Sequence, residues 1–102
     1  MCGRYYNRSQ KQEIARRIKT GRVFEDPFAS DYNIAPTTFQ PIVRKERDLD
    51  EREQVLARWG LVPFFAKSIA DFKGFSTFNE RSEDISTAAT WRGPLKNRRC
   101  LI

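Results

Sequence analysis

The 102-residue chain carries 19 Lys and Arg against 13 Asp and Glu, a formal charge of +6, with 39% apolar, 31% charged and 13% aromatic residues. That length fits one domain with a modest core; the aromatic content is too high for a disordered chain, and no apolar run reaches the roughly 18 residues of a membrane span. With no histidine and only two cysteines, one near each end, the chain can build neither a Ser-His or Cys-His pair nor a cysteine-based structural zinc site.

The opening Cys2-Gly3-Arg4-Tyr5-Tyr6 is rich in aromatics and predicts a strand close to the terminus. Ser9 and Gln12 have the spacing of a capping box. Ile14, Ala15 and Ile18 follow at helical intervals, and Gly21 supplies a stop. The pattern predicts an amphipathic helix over 9–19 whose Lys11, Arg16, Arg17 and Lys19 form a solvated face. Pro27, Pro36 and Pro41 predict an ordered extended loop over 25–41. Strands are expected at 40–44 and 54–61. The charged segment 45–53 between them is an exposed connection to which no function is assigned.

Gly60 and Pro63 predict a bend within Arg58-Trp59-Gly60-Leu61-Val62-Pro63-Phe64-Phe65, carrying some of its rings out of a regular strand. Residues 66–76 read as a loop or short helix. From Ile85 onward the chain holds Arg92, Lys96, Arg98 and Arg99 and no acid, a local charge of +4. The expectation is a single domain, mostly strands and loops, with one clear helix.

Three groups of residues could carry chemistry. Removal of Met1, normal before a residue as small as cysteine, would leave Cys2 with a free α-amine beside its thiol. Such groups titrate at about 7.7–8.0 and 8.5 in model peptides. A 1,2-aminothiol condenses with an aldehyde to a Schiff base, and the thiol then closes a five-membered thiazolidine without help from imidazole. Position alone leaves this open against an incidental thiol at a frayed end.

The second group sets Arg4, Arg58, Arg81, Arg92, Arg98 and Arg99 among Trp59, Phe64, Phe65 and Trp91. Cationic contacts to phosphate with aromatic stacking on bases are how single-stranded nucleic acid is held. A solvated surface over an aromatic core is the competing reading, adopted for Tyr5, Phe24, Phe28, Phe39 and Phe78. Third, Asn79, Arg81 and Glu83 would share one face of an extended segment, either lining a pocket or forming a hydrogen-bonded turn.

In order along the chain, Met1-Cys2-Gly3-Arg4-Tyr5, Tyr32-Asn33-Ile34-Ala35-Pro36, Arg58-Trp59-Gly60-Leu61-Val62-Pro63, Asn79-Glu80-Arg81-Ser82-Glu83 and Arg98-Arg99-Cys100-Leu101-Ile102 resemble the SOS-response-associated peptidase (SRAP) family, the abasic-site processing proteins. The resemblance implies a mixed α+β fold with a curved, barrel-like β-core and few helices. It implies that Cys2, as the N-terminal residue, forms a thiazolidine crosslink to abasic sites in single-stranded DNA, with Asn79 supporting that chemistry. By the same resemblance Arg4, Trp59 and Arg81 line the DNA channel; Arg58 and Phe65 are placed with them as DNA-binding residues, and Asn33 and Glu83 as pocket-supporting ones. Peptidase activity would be removal of residues ahead of the cysteine. No metal or cofactor and no membrane contact are expected, and a cytoplasmic location, at the nucleoid when DNA is bound, is.

Three departures from the family pattern stand out. The asparagine motif usually reads Asn-Ala-Arg-x-Glu-Thr; here Glu80 and Asp84 replace the alanine and the threonine, and Glu80 is expected to point away from the channel. Phe65 stands where a tryptophan is usual, keeping a stacking face without the indole donor. Family members continue past Arg-Cys-Leu-Ile into Pro-Ala-x-Gly-Phe-Tyr-Glu-Trp and later a histidine, which supply acid–base groups. This chain is therefore expected to be the front part of such a domain, marginally stable alone or completed by pairing. The alternative is a non-covalent single-stranded DNA binder or an inactive fragment lacking the downstream glutamate and histidine.

Overall fold

The computed structural model describes residues 2–70, 72 and 77–102; part of the expected 66–76 loop lies outside them. Alternating side chains and a charged turn make Phe39–Lys45 (β4) and Arg52–Arg58 (β5) an antiparallel hairpin, in register from Phe39 opposite Arg58 to Lys45 opposite Arg52. β4 gains one residue at each end, whereas β5 begins two residues earlier than the apolar pattern predicted and stops at Arg58 instead of 61. Ion pairs Arg44–Glu53 at 2.7 Å and Lys45–Asp50 at 2.5 Å continue across the turn.

Arg22–Val23 (β2) runs parallel to β5, and Cys100–Leu101 (β6) antiparallel to β4, giving the order β2-β5-β4-β6. A second, two-stranded sheet pairs Tyr5–Asn7 (β1) with Asp31–Ile34 (β3). The mixed α+β architecture holds, but among the described residues the sheets do not close into a barrel. With the helices Lys11–Ile18 (α1) and Arg92–Asn97 (α2), the described elements are six strands and two helices.

Cross-strand partners point to the same side of a sheet. Pro41, Val43 and Gln54 therefore face one way, where they share a 210 Å³ cavity with Ile14 and Ile18 of α1. Gln40, Ile42, Arg44, Glu53 and Ala57 face the other way, toward cavities of 470 and 630 Å³. The core is thin. Ile34 and Val43 are its buried large apolar residues among those described, alongside buried Gln40, Glu53 and Gln54.

The helix differs from expectation at both ends. Its N-cap position is Gln10, which makes no side-chain capping bond. The Ser9 N–H donates instead to Asn7 Oδ1 at 3.0 Å, so the Ser9–Gln12 capping box does not form. The stop is Lys19 in the left-handed conformation, φ 54°, two residues before Gly21. Nor is Lys11 solvated: its ammonium donates to the carbonyls of Phe24, Glu25 and Asp26 at 2.9–3.0 Å. It also lies 4.8 Å from the centre of the Phe24 ring. A long, flexible cationic side chain thus gathers the three consecutive carbonyls ahead of Pro27.

Candidate active site

Beyond β5 the chain bends. Trp59 exchanges backbone bonds with Thr37 and Thr38 at 2.8 and 2.9 Å, and the Leu61 N–H donates to the Thr77 carbonyl at 3.1 Å. Gly60 takes φ 130°, a conformation that favours glycine, and a Cβ there would crowd only the flexible guanidinium end of Arg58, with Nη1 at 3.0 Å. These contacts lay residues 77–79 alongside the bend.

The bend is fixed by stacked-edge aromatics. Trp59 meets the Tyr5 ring at 5.3 Å and the Phe78 ring at 6.2 Å, both edge-on. It therefore ties β1 to the segment that ends in Asn79, a packing role that core-like Tyr5 and Phe78 share.

That arrangement brings the two ends of the motif set together. The backbone N–H of Cys2 donates to Asn79 Oδ1 at 3.3 Å, and Asn79 Nδ2 donates to the Cys2 carbonyl at 2.9 Å. One primary amide satisfies a donor and an acceptor on the same residue, 77 positions away. The bonds use the main chain only and leave the exposed Cys2 thiol outside the clasp. Beside it, the pairing of Tyr5 with Ile34 sets Arg4 against β3, where Arg4 Nη1 donates to Asn33 Oδ1 at 2.9 Å. The Asn33 N–H is in turn held by Asp31 Oδ1 at 2.9 Å.

The other sequence candidates lie at varied distances from this centre. Arg58 turns its guanidinium back onto the Gly60 carbonyl at 3.4 Å. Phe65 is 58% exposed and meets Phe64, 75% exposed, edge-on at 5.4 Å. Both rings offer a face to solvent. Arg81 is exposed and Glu80 takes its N–H at 3.0 Å.

Glu83 does not join Asn79 and Arg81 on one face. The Arg81 carbonyl accepts the N–H groups of Asp84 and Ile85, so the chain coils there and the period-two alternation ends. Glu83 is exposed and has no hydrogen bond or ion pair among the described residues.

Sequence reasoning missed the lining of the neighbouring 470 Å³ cavity, where Trp59 and Phe78 meet Ile42, Trp91, Arg98 and Cys100. The acid-free tail beginning at Ile85 was the available signal. Burial pushes the Cys100 thiol up from its usual value, with Arg44 acting in the opposite sense. Burial also raises the Tyr5 phenol, assisted by the charges of Asp31 and Cys100. No cluster of potential metal ligands occurs among the described residues.

These features define a mixed α+β domain that carries a cysteine near its N-terminus, clasped through its backbone by a distant asparagine. A solved structure from Bordetella bronchiseptica shares the fold, with a TM-score of 0.65 at 22% identity, over 90% of this chain and 42% of that one. The family described as SOS response associated peptidase (SRAP) matches residues 1–102, and the chain belongs to it. Its relatives include the abasic site processing protein YMR114C of Saccharomyces cerevisiae, 36% identical over 78% of this chain and 21% of that protein. YoqW of Bacillus subtilis, which carries the same description, is 31% identical over 100% and 44%. HMCES of Rattus norvegicus, also so described, is 33% identical over 76% and 24%. The chain thus spans less than half the length of these relatives.

Proposed function

We propose that this chain captures abasic sites in single-stranded DNA by forming a thiazolidine at Cys2 once Met1 has been removed. The observation that carries the reading is the Asn79 amide bonded to both backbone polar groups of Cys2. Loss of Met1 converts the Cys2 nitrogen into a primary amine with an acceptor already beside it. Peptidase-type self-processing is confined to that removal.

A ring-opened abasic sugar presents an aldehyde. The amine's lone pair attacks the carbonyl carbon, and loss of water from the resulting carbinolamine leaves a C=N bond. The thiol sulfur then adds to the same carbon while its proton passes to the nitrogen, closing the ring. Aminothiol plus aldehyde give thiazolidine plus water, and no imidazole takes part. Arg4, steadied by Asn33, and exposed Arg81 supply positive charge for the flanking phosphates. The Phe64 and Phe65 rings offer stacking faces for bases, and Arg58 and Trp59 hold the bend that precedes them in the chain.

The test is incubation of Met-processed protein with abasic single-stranded and duplex oligonucleotides, read as a heat-stable shifted band. The single strand is expected to give the stronger band, and Cys2→Ala or retention of Met1 none. If Cys2→Ala crosslinks as well as the parent, the reading is wrong. Salt-dependent binding without any adduct would make the chain a non-covalent single-strand binder.

A further inference from the structure

The open face of the β4–β5 hairpin continues from the aromatic cavity into a charged cleft of 630 Å³, the two sharing Ile42, Arg98 and Cys100. From Gln40 to Arg44 this path covers roughly 13 Å at about 3.3 Å per strand residue. The cleft is lined by Arg22, Arg44, Lys45, Arg47, Arg98 and Arg99 against Glu46, Asp48 and Glu53, a surplus of three positive charges.

The ion pairs show which charges remain. Glu46 pairs with Arg22 and Glu53 with Arg44, each at 2.7 Å, and Lys45 is engaged by Asp50. Among the described residues Arg47, Arg98 and Arg99 have no ion-pair partner, and neither does Asp48. Three guanidinium forks therefore meet one spare carboxylate in a concave site. Guanidinium matches the paired oxygens of a phosphate better than any other side chain does.

We infer that this cleft is a second anchoring site on DNA, where Arg47, Arg98 and Arg99 hold phosphodiester groups of the strand running along the trough away from the lesion. The inference rests on the DNA reading above. It extends the contact surface well beyond Cys2, to the far end of the sheet.

The experiment measures the salt dependence of binding of a lesion-free single strand by fluorescence anisotropy, beside adduct formation on an abasic strand. Arg47→Glu with Arg99→Glu is expected to make the slope of log affinity against log salt shallower by about 1.4, at about 0.7 per lost phosphate contact. Relative to 1 M salt, the same loss at 0.1 M is about 25-fold in affinity. Arg16→Glu with Arg17→Glu on α1 makes the same charge change outside the cleft and is expected to keep a slope near the parent's. Asp48→Asn, which removes the spare carboxylate, is expected to tighten binding several-fold, independently of how well the reversed pair folds.

Equal slopes in the cleft and α1 variants, or no gain from Asp48→Asn, overturn the inference. If adducts form while the cleft variants leave the slope unchanged, the cleft fails and the Cys2 chemistry stands. If the slope falls in the cleft variant and no adduct forms in any protein, the cleft stands and the Cys2 chemistry fails.

Discussion

Replacing Asn79 with alanine removes both bonds to Cys2, of 3.3 and 2.9 Å, without touching the thiol. At an exposed site the longer bond contributes about 0.5 kcal/mol and the shorter about 1 kcal/mol. Losing about 1.5 kcal/mol lowers the population of the held N-terminus roughly tenfold relative to detached forms. Adduct formation, measured by quenching Met-processed protein and abasic oligonucleotide over time under subsaturating conditions, is therefore expected to slow about tenfold. The same loss is expected to lower the melting temperature by roughly 7 °C. Asn79→Asp keeps an acceptor, loses the donor to the Cys2 carbonyl, and sets a negative charge beside the amine. That charge favours the protonated amine, so this variant is expected to react slowly with its pH optimum displaced upward. Reaction of Asn79→Ala within twofold of the parent would refute the positioning argument.

Trp59→Ala deletes a half-buried ring that bridges Tyr5 and Phe78. Full burial would make the loss 3–5 kcal/mol, so about 2 kcal/mol is expected here, seen as a melting temperature lower by roughly 10 °C. Phe65→Ala should leave the melting temperature within a degree or two, because the ring is exposed, while weakening single-strand binding about tenfold through loss of one stacked base; equal affinity by anisotropy would remove Phe65 from the interface. Because burial raises Cys100 and Tyr5, the folded chain keeps their protons where the unfolded chain has released them. Their stabilising contribution is complete below about pH 8.5 and falls as pH rises through the folded values. Urea midpoints should decline across that alkaline range, and less steeply in Cys100→Val; parallel declines would count against burial as the cause.

Local chemistry made much of the fold legible. The charged turn 45–53 and the runs on either side of it define β4 and β5 because hairpin register follows from connection and alternation. The helix interior follows from Ile14, Ala15 and Ile18. Its ends were not legible, since Asn7 competes for the Ser9 N–H and Lys19 accepts the left-handed conformation that glycine usually provides. Lys11 looks solvated on a helical wheel; only the folded chain brings the 24–26 carbonyls to it. The two-residue strands β2 and β6 carry too little pattern to be read and exist because β5 and β4 offer them edges.

The candidate site divides in the same way. Period-two reasoning placed Glu83 beside Asn79, and the turn begun at the Arg81 carbonyl overrode it. The meeting of Cys2 with Asn79 has no local signature at all. It was approached only through the ordered motifs, and its geometry depends on Trp59, Gly60 and the Leu61–Thr77 bond.

The Cys2–Asn79 clasp also bears on how the protein acquires its reactivity. Bringing together groups 77 residues apart costs about 4 kcal/mol in chain entropy, more than the two bonds return. The clasp therefore cannot nucleate the fold and must form late, after β1–β3 pairing and the docking of 77–79 have already closed the loop. A free N-terminal aminothiol reacts with small aldehydes in any conformation, whereas capture of an aldehyde embedded in a DNA strand needs the amine held in place. Under the proposed chemistry, maturation of the nucleophile and completion of folding are separate events, and selectivity for the larger substrate would arrive only with the second.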